Sequence, residues 1–392
     1  MKMLIACSDF PYPADHGGRV DTWGRIKVLS ELGWQIDLVV CGKTTPTAEE
    51  KEVVLRYVAD IRLCDRRSRI LDLLHPDPLQ VRSRTALRHV KLNGPYDYVL
   101  LEGDYVYPIL DNPEVRSDMA ILRVHNDESI YFKALARSSS HPLHKLYYTI
   151  ESGKFVRHER KLRSRIDKHL FISNKEFEKF RMGNETASSR FLPPPVTSGS
   201  FRSNSFASKQ VVFIGSLFMP NNREGIEWYL THVHEKLLEN PEYSFVIAGN
   251  SRGGSLDWLK RYNLSRVVVH DSPESLDGIY EQGCLFVNPM QNGAGVKLKT
   301  IEAIQNGLPV VSTSVGSEGT GLLHKEHIMI ADDPQKFCSS IQQLLDSKAD
   351  SEALLRASQQ FIAEHYNHKE VLRSFFQSLN PDLMLKGRAA NA

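Results

Sequence analysis

The chain of 392 residues lacks any run approaching 18 consecutive apolar residues, which excludes a helix long enough to span a membrane. Cysteine is scarce. Cys7, Cys41, Cys64, Cys284 and Cys338 are odd in number, far apart and never in a CxxC pair, so no zinc or disulfide framework is expected and a reducing compartment fits. Charge of one sign is also missing: 49 Lys and Arg stand against 47 Asp and Glu, a formal net charge of +2. That balance argues against a surface coated for nucleic acid, although it leaves room for a local basic patch. The opening MKMLIACSDF meets Asp9 after too few apolar residues for a signal-peptide core. These absences predict a cytoplasmic location, with the inner face of the membrane still open. What is present, 41% hydrophobic residues over this length, suffices for about two domains with real cores.

Apolar runs alternate with amphipathic segments from the start. Residues 3–7 read as a buried strand, 9–18 as a loop, 20–32 as a helix stopped by Gly33, and 35–41 as the next strand. A strand–helix–strand unit of this length needs a crossover, so the strands pair in parallel in a doubly wound sheet. Further strands are expected at 98–101, 120–124 and 169–172, with a helical stretch at 143–165 before the last. The segment FLPPPVTSGSFRSNS over 191–205 then breaks all periodicity and reads as a linker. After it the α/β rhythm restarts, with strands at 211–214, 245–248, 267–269, 285–287 and 309–312, and helical spacing at 226–237 and 297–305. The expectation is an α/β protein of two facing Rossmann-like doubly wound domains, 1–195 and 196–365, with an interdomain cleft at the carboxyl ends of the sheets. A last helix within 366–392 is expected to cross back to the first domain.

The most informative stretch is 288–319. A strand ends at Pro289, and Asn292-Gly293-Ala294-Gly295-Val296 lets the backbone approach a ligand. Lys297 and Lys299 open the next helix, where N–H groups and the helix dipole favour a diphosphate. Glu302 behind them suits ribose hydroxyls. A glycine turn with solvated helix charges is the plain alternative. At the other end of the chain, Gly17-Gly18 between a strand and a helix allows close backbone approach, or is simply a turn. His125 emerges at a strand's carboxyl end, and Glu102 and Asp104 follow another strand. Asn126, Asp127 and Glu128 either position hydroxyls or cap the next helix.

Together these motifs resemble the GT-B glycosyltransferases, in particular glycosyltransferase family 4 (glycosyl transferases group 1). The resemblance rests on Glu302-Ala303-Ile304 with Gly307-Leu308-Pro309-Val310-Val311, on Phe213-Ile214-Gly215-Ser216-Leu217 with Pro220-Asn221-Asn222, and on Val246-Ile247-Ala248-Gly249. It spans about 210–323, and is thinner in the N-terminal half, where Gly17-Gly18, Val124-His125-Asn126 and Phe171-Ile172-Ser173 carry it. It implies a nucleotide-diphosphate-sugar donor held by Gly17, Gly18, Gly215, Ser216, Asn221, 293–297, Lys299 and Glu302, with His125 beside the transferred sugar. There are two departures. Ala294 stands where the family's donor-sugar glutamate falls, and 217–222 offers no cation for the diphosphate, a task left to Lys297 and Lys299, with Arg223 a lesser helper.

The activity implied is transfer of a sugar to a hydroxyl acceptor in surface glycan synthesis, with retention of configuration and with no metal or cofactor. Glu102 and Asp104 are the candidates for a general base if the reaction inverts instead. A nucleotide-sugar epimerase of the same fold and a degenerate, transferase-like partner subunit are the alternatives. The basic run 154–168 reads as a solvated helix face, or as a contact for a lipid-linked or other anionic acceptor, or for anionic headgroups at a peripheral membrane site. Without interleaved aromatics it does not read as a nucleic-acid platform.

Overall fold

The computed structural model describes all residues except 15, 16, 68, 140, 184–188, 196–200, 294 and 381–392. The chain divides into two compact units, Met1–Pro195 with His368–Ala392, and Val196–Asn367. In unit 1 the strands β1 (Lys2–Cys7), β2 (Gln35–Gly42), β3 (Asp60–Asp65), β4 (Tyr96–Glu102), β5 (Ser117–Val124), β6 (Lys168–Phe171) and β7 (Arg190–Phe191) form one sheet. Its order is β3-β2-β1-β4-β5-β6-β7, and every pair is parallel. Helices α1 (Gly17–Glu31), α2 (Ala48–Leu55), α3 (Leu79–Arg82), α4 (Glu128–Ser138), α5 (Pro142–Arg163) and α6 (Asn174–Gly183) connect them. The β1 sequence KMLIAC is apolar on both faces because helices cover both, and Met3 to Ala6 are fully buried. Gly33 ends the turn after α1 at φ 84°, a conformation glycine adopts without steric cost.

Unit 2 repeats the plan. Its strands are β8 (Lys209–Ile214), β9 (Tyr243–Gly249), β10 (Val267–Asp271), β11 (Leu285–Asn288), β12 (Val310–Ser312) and β13 (Met329–Ile330), ordered β10-β9-β8-β11-β12-β13 and all parallel. Helices α7 (Pro220–Tyr229), α8 (Glu235–Leu237), α9 (Asp277–Gln282), α10 (Leu298–Gln305), α11 (Pro334–Asp346) and α12 (Lys348–His365) flank it. The final helix, α13 (His368–Leu379), packs against α1 in unit 1, burying Leu372, Phe375 and Phe376 beside Trp34. Strand order reverses between β1 and β4 in unit 1 and between β8 and β11 in unit 2. At such switch points the two neighbouring connections diverge and leave a crevice at the strands' carboxyl ends.

The strands β3, β7 and β13 escape the sequence pattern, being respectively polar in alternation and only two residues long. The single helix read over 143–165 is in fact preceded by a separate one, α4, and starts at Pro142, whose fixed φ suits a first helical turn.

Candidate active site

In unit 2 the strand ends at the switch point are built for close backbone approach. Gly249, at φ 151°, lies against the carbonyl of Gly215, so a side chain at 249 would collide with backbone. A side chain at 215 would press to 3.1 Å from both Asn222 Nδ2 and Lys299 Nζ. Asn222, in the first turn of α7, donates from Nδ2 to the Ser216 carbonyl at 2.9 Å and accepts from Lys299 Nζ through Oδ1. Asn221 precedes it, with Oδ1 accepting from the Asn222 N–H at 3.0 Å.

Across the switch point the loop after β11 carries Gly293 at φ 129° and Gly295 at φ 83°. Lys297 is the N-cap residue of α10, one position earlier than its expected place in the first turn, and is only 5% exposed. Its Nζ donates to the carbonyls of Gly293 at 3.1 Å and Gly295 at 2.8 Å. Lys299 lies over the Phe213 ring at 4.9 Å. Desolvation, then repulsion from Lys297, lowers its pKa to about 7 despite the attraction of Glu302. Glu302 is solvent-accessible on α10; crowding by neighbouring protein atoms raises its pKa, Lys299 opposes that, and water reaching the side chain tempers the shift. Ala294 lies outside the described residues.

In unit 1 the switch point is filled by a buried network of four charges. Arg25 donates to Glu102 from Nε and Nη2, both at 2.7 Å, and to Asp21 from Nη2 at 2.7 Å. Arg123 meets Asp21 from Nε at 2.9 Å and Nη2 at 2.8 Å, and also donates to the Leu192 carbonyl. Thr22 donates to Glu102 Oε2 at 3.2 Å. Burial works against the ionised Asp21, yet the two guanidiniums prevail and hold its carboxyl well below the usual range. The position i to i+4 on α1 places Asp21 and Arg25 on one face, and that face is turned inward. Two negative and two positive charges cancel, which is how a buried cluster of this kind is tolerated.

His125 stands over this network at the end of β5. Its Nε2 lies 3.4 Å from Asp21 Oδ2 and 3.6 Å from Glu102 Oε2. A side chain at Gly103, whose φ is 89°, would come within 3.2 Å of His125 Nδ1, so this glycine leaves room for the ring. His368, the first residue of α13, donates from Nε2 to the Pro193 carbonyl beside the same network; burial lowers its pKa to about 4.

Next to His125 opens a cavity of about 370 Å³ at the ends of β5 and β6, lined by Asp104, Asn126, Asp127, Glu128, Glu159, Glu176, Arg163 and Lys179 over Phe155, Phe171 and Phe180. Asp127 caps α4, accepting from Ile130 N–H at 3.1 Å, and also pairs with Lys179 at 3.2 Å. Glu128 accepts from the Tyr105 hydroxyl at 2.6 Å. The Asp104 carboxylate has no hydrogen bond or ion pair among the described residues. Desolvation, then Glu128, Glu159 and Asp127, push its pKa up to about 8, a shift that water tempers because the residue is half-buried by surface area. His169, 92% buried at 8% exposure, lines the same cavity with Nδ1 unsatisfied and its ring packed on Phe171 and Phe180.

Of the residues expected from the sequence, Gly215, Ser216, Asn221, Gly293, Gly295, Val296, Lys297, Lys299 and Glu302 gather in unit 2. Glu102, Asp104 and His125 gather in unit 1. Gly17 and Gly18 open α1. Sequence reasoning missed Asp21, Arg25, Arg123 and His169. The available signal was Arg123 itself, a charge inside the apolar strand ILRVH. Four of the seven cations in the basic run 154–168 are paired: Lys154 with buried Glu151, Lys161 with Asp77, Arg163 with Glu159 and Arg165 with Asp111.

Comparison with known proteins fits this architecture. The family model for glycosyl transferases group 1 matches residues 208–347. A Klebsiella pneumoniae protein described as an uncharacterized 44.6 kDa protein in the cps region is 39% identical over 387 residues, covering 96% of this chain and 99% of the relative. Sucrose-phosphate synthase from Thermosynechococcus elongatus matches with a TM-score of 0.66 at 15% identity, over 98% of this chain and 100% of its own. Anabaena HepE, solved with UDP-glucose, gives a TM-score of 0.60 at 12% identity over 97% of this chain and 100% of its own. At those identities the structures speak to the fold, two parallel α/β sheets in the GT-B pattern. The family model and the shared GT-B fold lead to one conclusion: this chain carries a glycosyl transferases group 1 domain over residues 208–347 and is a glycosyltransferase.

Proposed function

We propose that the chain transfers a sugar from a nucleotide-diphosphate sugar to a hydroxyl acceptor in surface polysaccharide assembly, on the cytoplasmic side, with retention of configuration and without a metal. The observation that carries the reading is the end of the unit 2 sheet, where Gly215 and Gly249 meet backbone to backbone and two lysines, Lys297 and Lys299, stand close enough at the start of α10 to repel each other. As the glycosidic bond breaks, negative charge grows on the leaving diphosphate. Preorganised cations and a helix start stabilise that charge with no reorganisation at the moment of reaction.

Lys297 has a double task, shaping the loop through the Gly293 and Gly295 carbonyls while presenting its ammonium group. Backbone at Gly215, Ser216, Asn221, Gly293, Gly295 and Val296 lies close to the phosphates, and Glu302 accepts from ribose hydroxyls. In unit 1 the cavity beside His125 receives the acceptor. Asp104 accepts or donates to an acceptor hydroxyl, and His125 contacts the sugar being moved. Glu102 is a positioning residue rather than a base, because Arg25 and Thr22 occupy both its oxygens. With retention, a phosphate oxygen of the leaving diphosphate takes the acceptor proton.

Metal independence is supported by the chemistry of the one ligand-like cluster among the described residues. Asp21, Glu102 and His125 are close enough to hold an ion, but two guanidiniums already neutralise the carboxylates. The cps-region description of the Klebsiella relative and the UDP-glucose in HepE support the substrate classes.

A thermal-shift screen with a panel of nucleotide sugars tests the reading. A ligand held at about 100 times its Kd stabilises the folded state by about 2.7 kcal/mol, a clear rise in Tm. The rise should disappear in Lys299→Ala. If no nucleotide sugar or nucleoside diphosphate raises Tm, the reading fails.

A further inference from the structure

The run 154–168 leaves Arg157 and Arg160 without an ion pair among the described residues, and the N-terminal half of the same helix is exposed and apolar. On α5, Leu143, Leu146, Ile150 and Arg157 follow spacings of three, four and seven residues, which align them in one stripe. The three apolar members are 69%, 58% and 47% exposed. Beside them the 3-10 helix Ile70–Leu74 presents Leu71 at 78% and Leu74 at 84% exposure. The two elements are fastened together: Lys154 Nζ donates to the Leu73 carbonyl at 2.8 Å, and Glu151 accepts from the Leu79 N–H at 2.7 Å. One turn separates Lys154 from Ile150, so the 3-10 helix is held near that end of the α5 stripe.

Large leucines this exposed on neighbouring elements are unusual for a surface meant only for water. The rim is cationic. Arg69, Arg157 and Arg160 are exposed and carry no ion pair among the described residues. The nearby carboxylates are spent: Glu151 is buried on Lys154, Asp72 is held by Arg67 and Arg82, and Glu159 points to Arg163. Exposed apolar side chains with unpaired guanidiniums on the same two elements match an anionic bilayer surface, into which leucines insert while guanidiniums meet the headgroup phosphates. No helix among the described residues is long and apolar enough to cross a membrane, so contact of this kind lies along the surface. We propose that Leu71, Leu74, Leu143, Leu146 and Ile150, with Arg69, Arg157 and Arg160, form a docking face for anionic phospholipid. The proposal is independent of the donor reading.

Co-sedimentation of the full chain with vesicles tests it. Binding should be seen with mixed phosphatidylglycerol and phosphatidylcholine vesicles, should weaken as salt is raised, and should be absent with pure phosphatidylcholine. Replacing Leu71, Leu74 and Leu143 together with Gln should lower partitioning at least tenfold with Tm unchanged, because these side chains are already in water. Arg157→Gln should lower it about fivefold, the share of one interfacial cation. Absence of binding to the anionic vesicles, or equal binding by the leucine variant, overturns the proposal. So does sedimentation velocity showing a lipid-free dimer that the leucine variant abolishes, because the face would then bind a second copy of the chain.

Discussion

The two sheets share a topology and end in opposite ways. At the unit 1 switch point two carboxylates and two guanidiniums neutralise one another out of water, and His125 rests on a finished structure. At the unit 2 switch point two ammonium groups share a small space with backbone carbonyls and an amide oxygen as their partners. The depressed pKa of Lys299, about 7, records that strain. One end is satisfied by its own charges and serves as a rigid mount; the other, on the proposed reading, is where an anion binds. Removing a charge should therefore cost stability in unit 1 and binding in unit 2.

The largest effect expected is on catalysis. Replacing Lys297 and Lys299 together with Ala should reduce kcat/KM for sugar transfer by about 10²- to 10³-fold, the usual range for lost stabilisation of developing charge. Urea unfolding of the same variant should stay near wild type. Activity within tenfold of wild type would erase the contrast. Next in size is the converse experiment. Arg123→Met strands Asp21 with a single partner in a buried site and should cost about 3–5 kcal/mol of stability. A loss below 1 kcal/mol by urea denaturation would mean that the network is not the mount described.

Much of this contrast was open to sequence reading on the unit 2 side and closed on the other. Glycine, lysine and proline at fixed offsets after strands are local signals, so Gly215, Gly293, Lys297 and Lys299 were found together. Asp21 and Arg25, spaced i to i+4, look in sequence like any solvated helix pair, and only the packing of α1 on the sheet turns them inward. Asp127 was read with two alternatives, and its bond to the Ile130 N–H shows the capping role. The strand core at 3–7, 98–101 and 211–214 was legible because parallel strands covered on both faces are apolar throughout. Strand β3, DIRLCD, was not, since it lies at the sheet edge with exposed polar positions.

Acid sharpens the comparison further. His158, His169 and His368, all in unit 1, are buried with pKa values lowered to about 4, in each case first by desolvation. The unfolded chain takes up these protons near pH 6.5, so the stability they confer is complete above that pH and is lost progressively as pH falls toward 4. Each contributes a slope of about 1.4 kcal/mol per pH unit inside that window. Urea midpoints measured from pH 7 to pH 5 should fall steeply, and His158→Phe should flatten the fall by about one third. An unchanged slope in that variant would remove His158 from the account.

The smallest effect concerns Lys299 and runs in the other direction of pH. In the free protein half of these amines are neutral near pH 7. A bound diphosphate favours the ammonium form and raises the pKa, so between the free and bound values binding must take up a proton. Affinity is then greatest below pH 7 and declines above it by at most tenfold per pH unit. Above pH 7 the terminal phosphate, with a second pKa near about 6, is already ionised and adds no proton of its own. Calorimetry of nucleoside diphosphate binding at pH 8, in two buffers of different ionisation enthalpy, should show uptake approaching about one proton. Lys299→Gln should bind more weakly at pH 6.5 and lose the uptake at pH 8. If wild type takes up no proton there, Lys299 is charged before the ligand arrives, and the unit 2 site is as settled in the free protein as the network in unit 1.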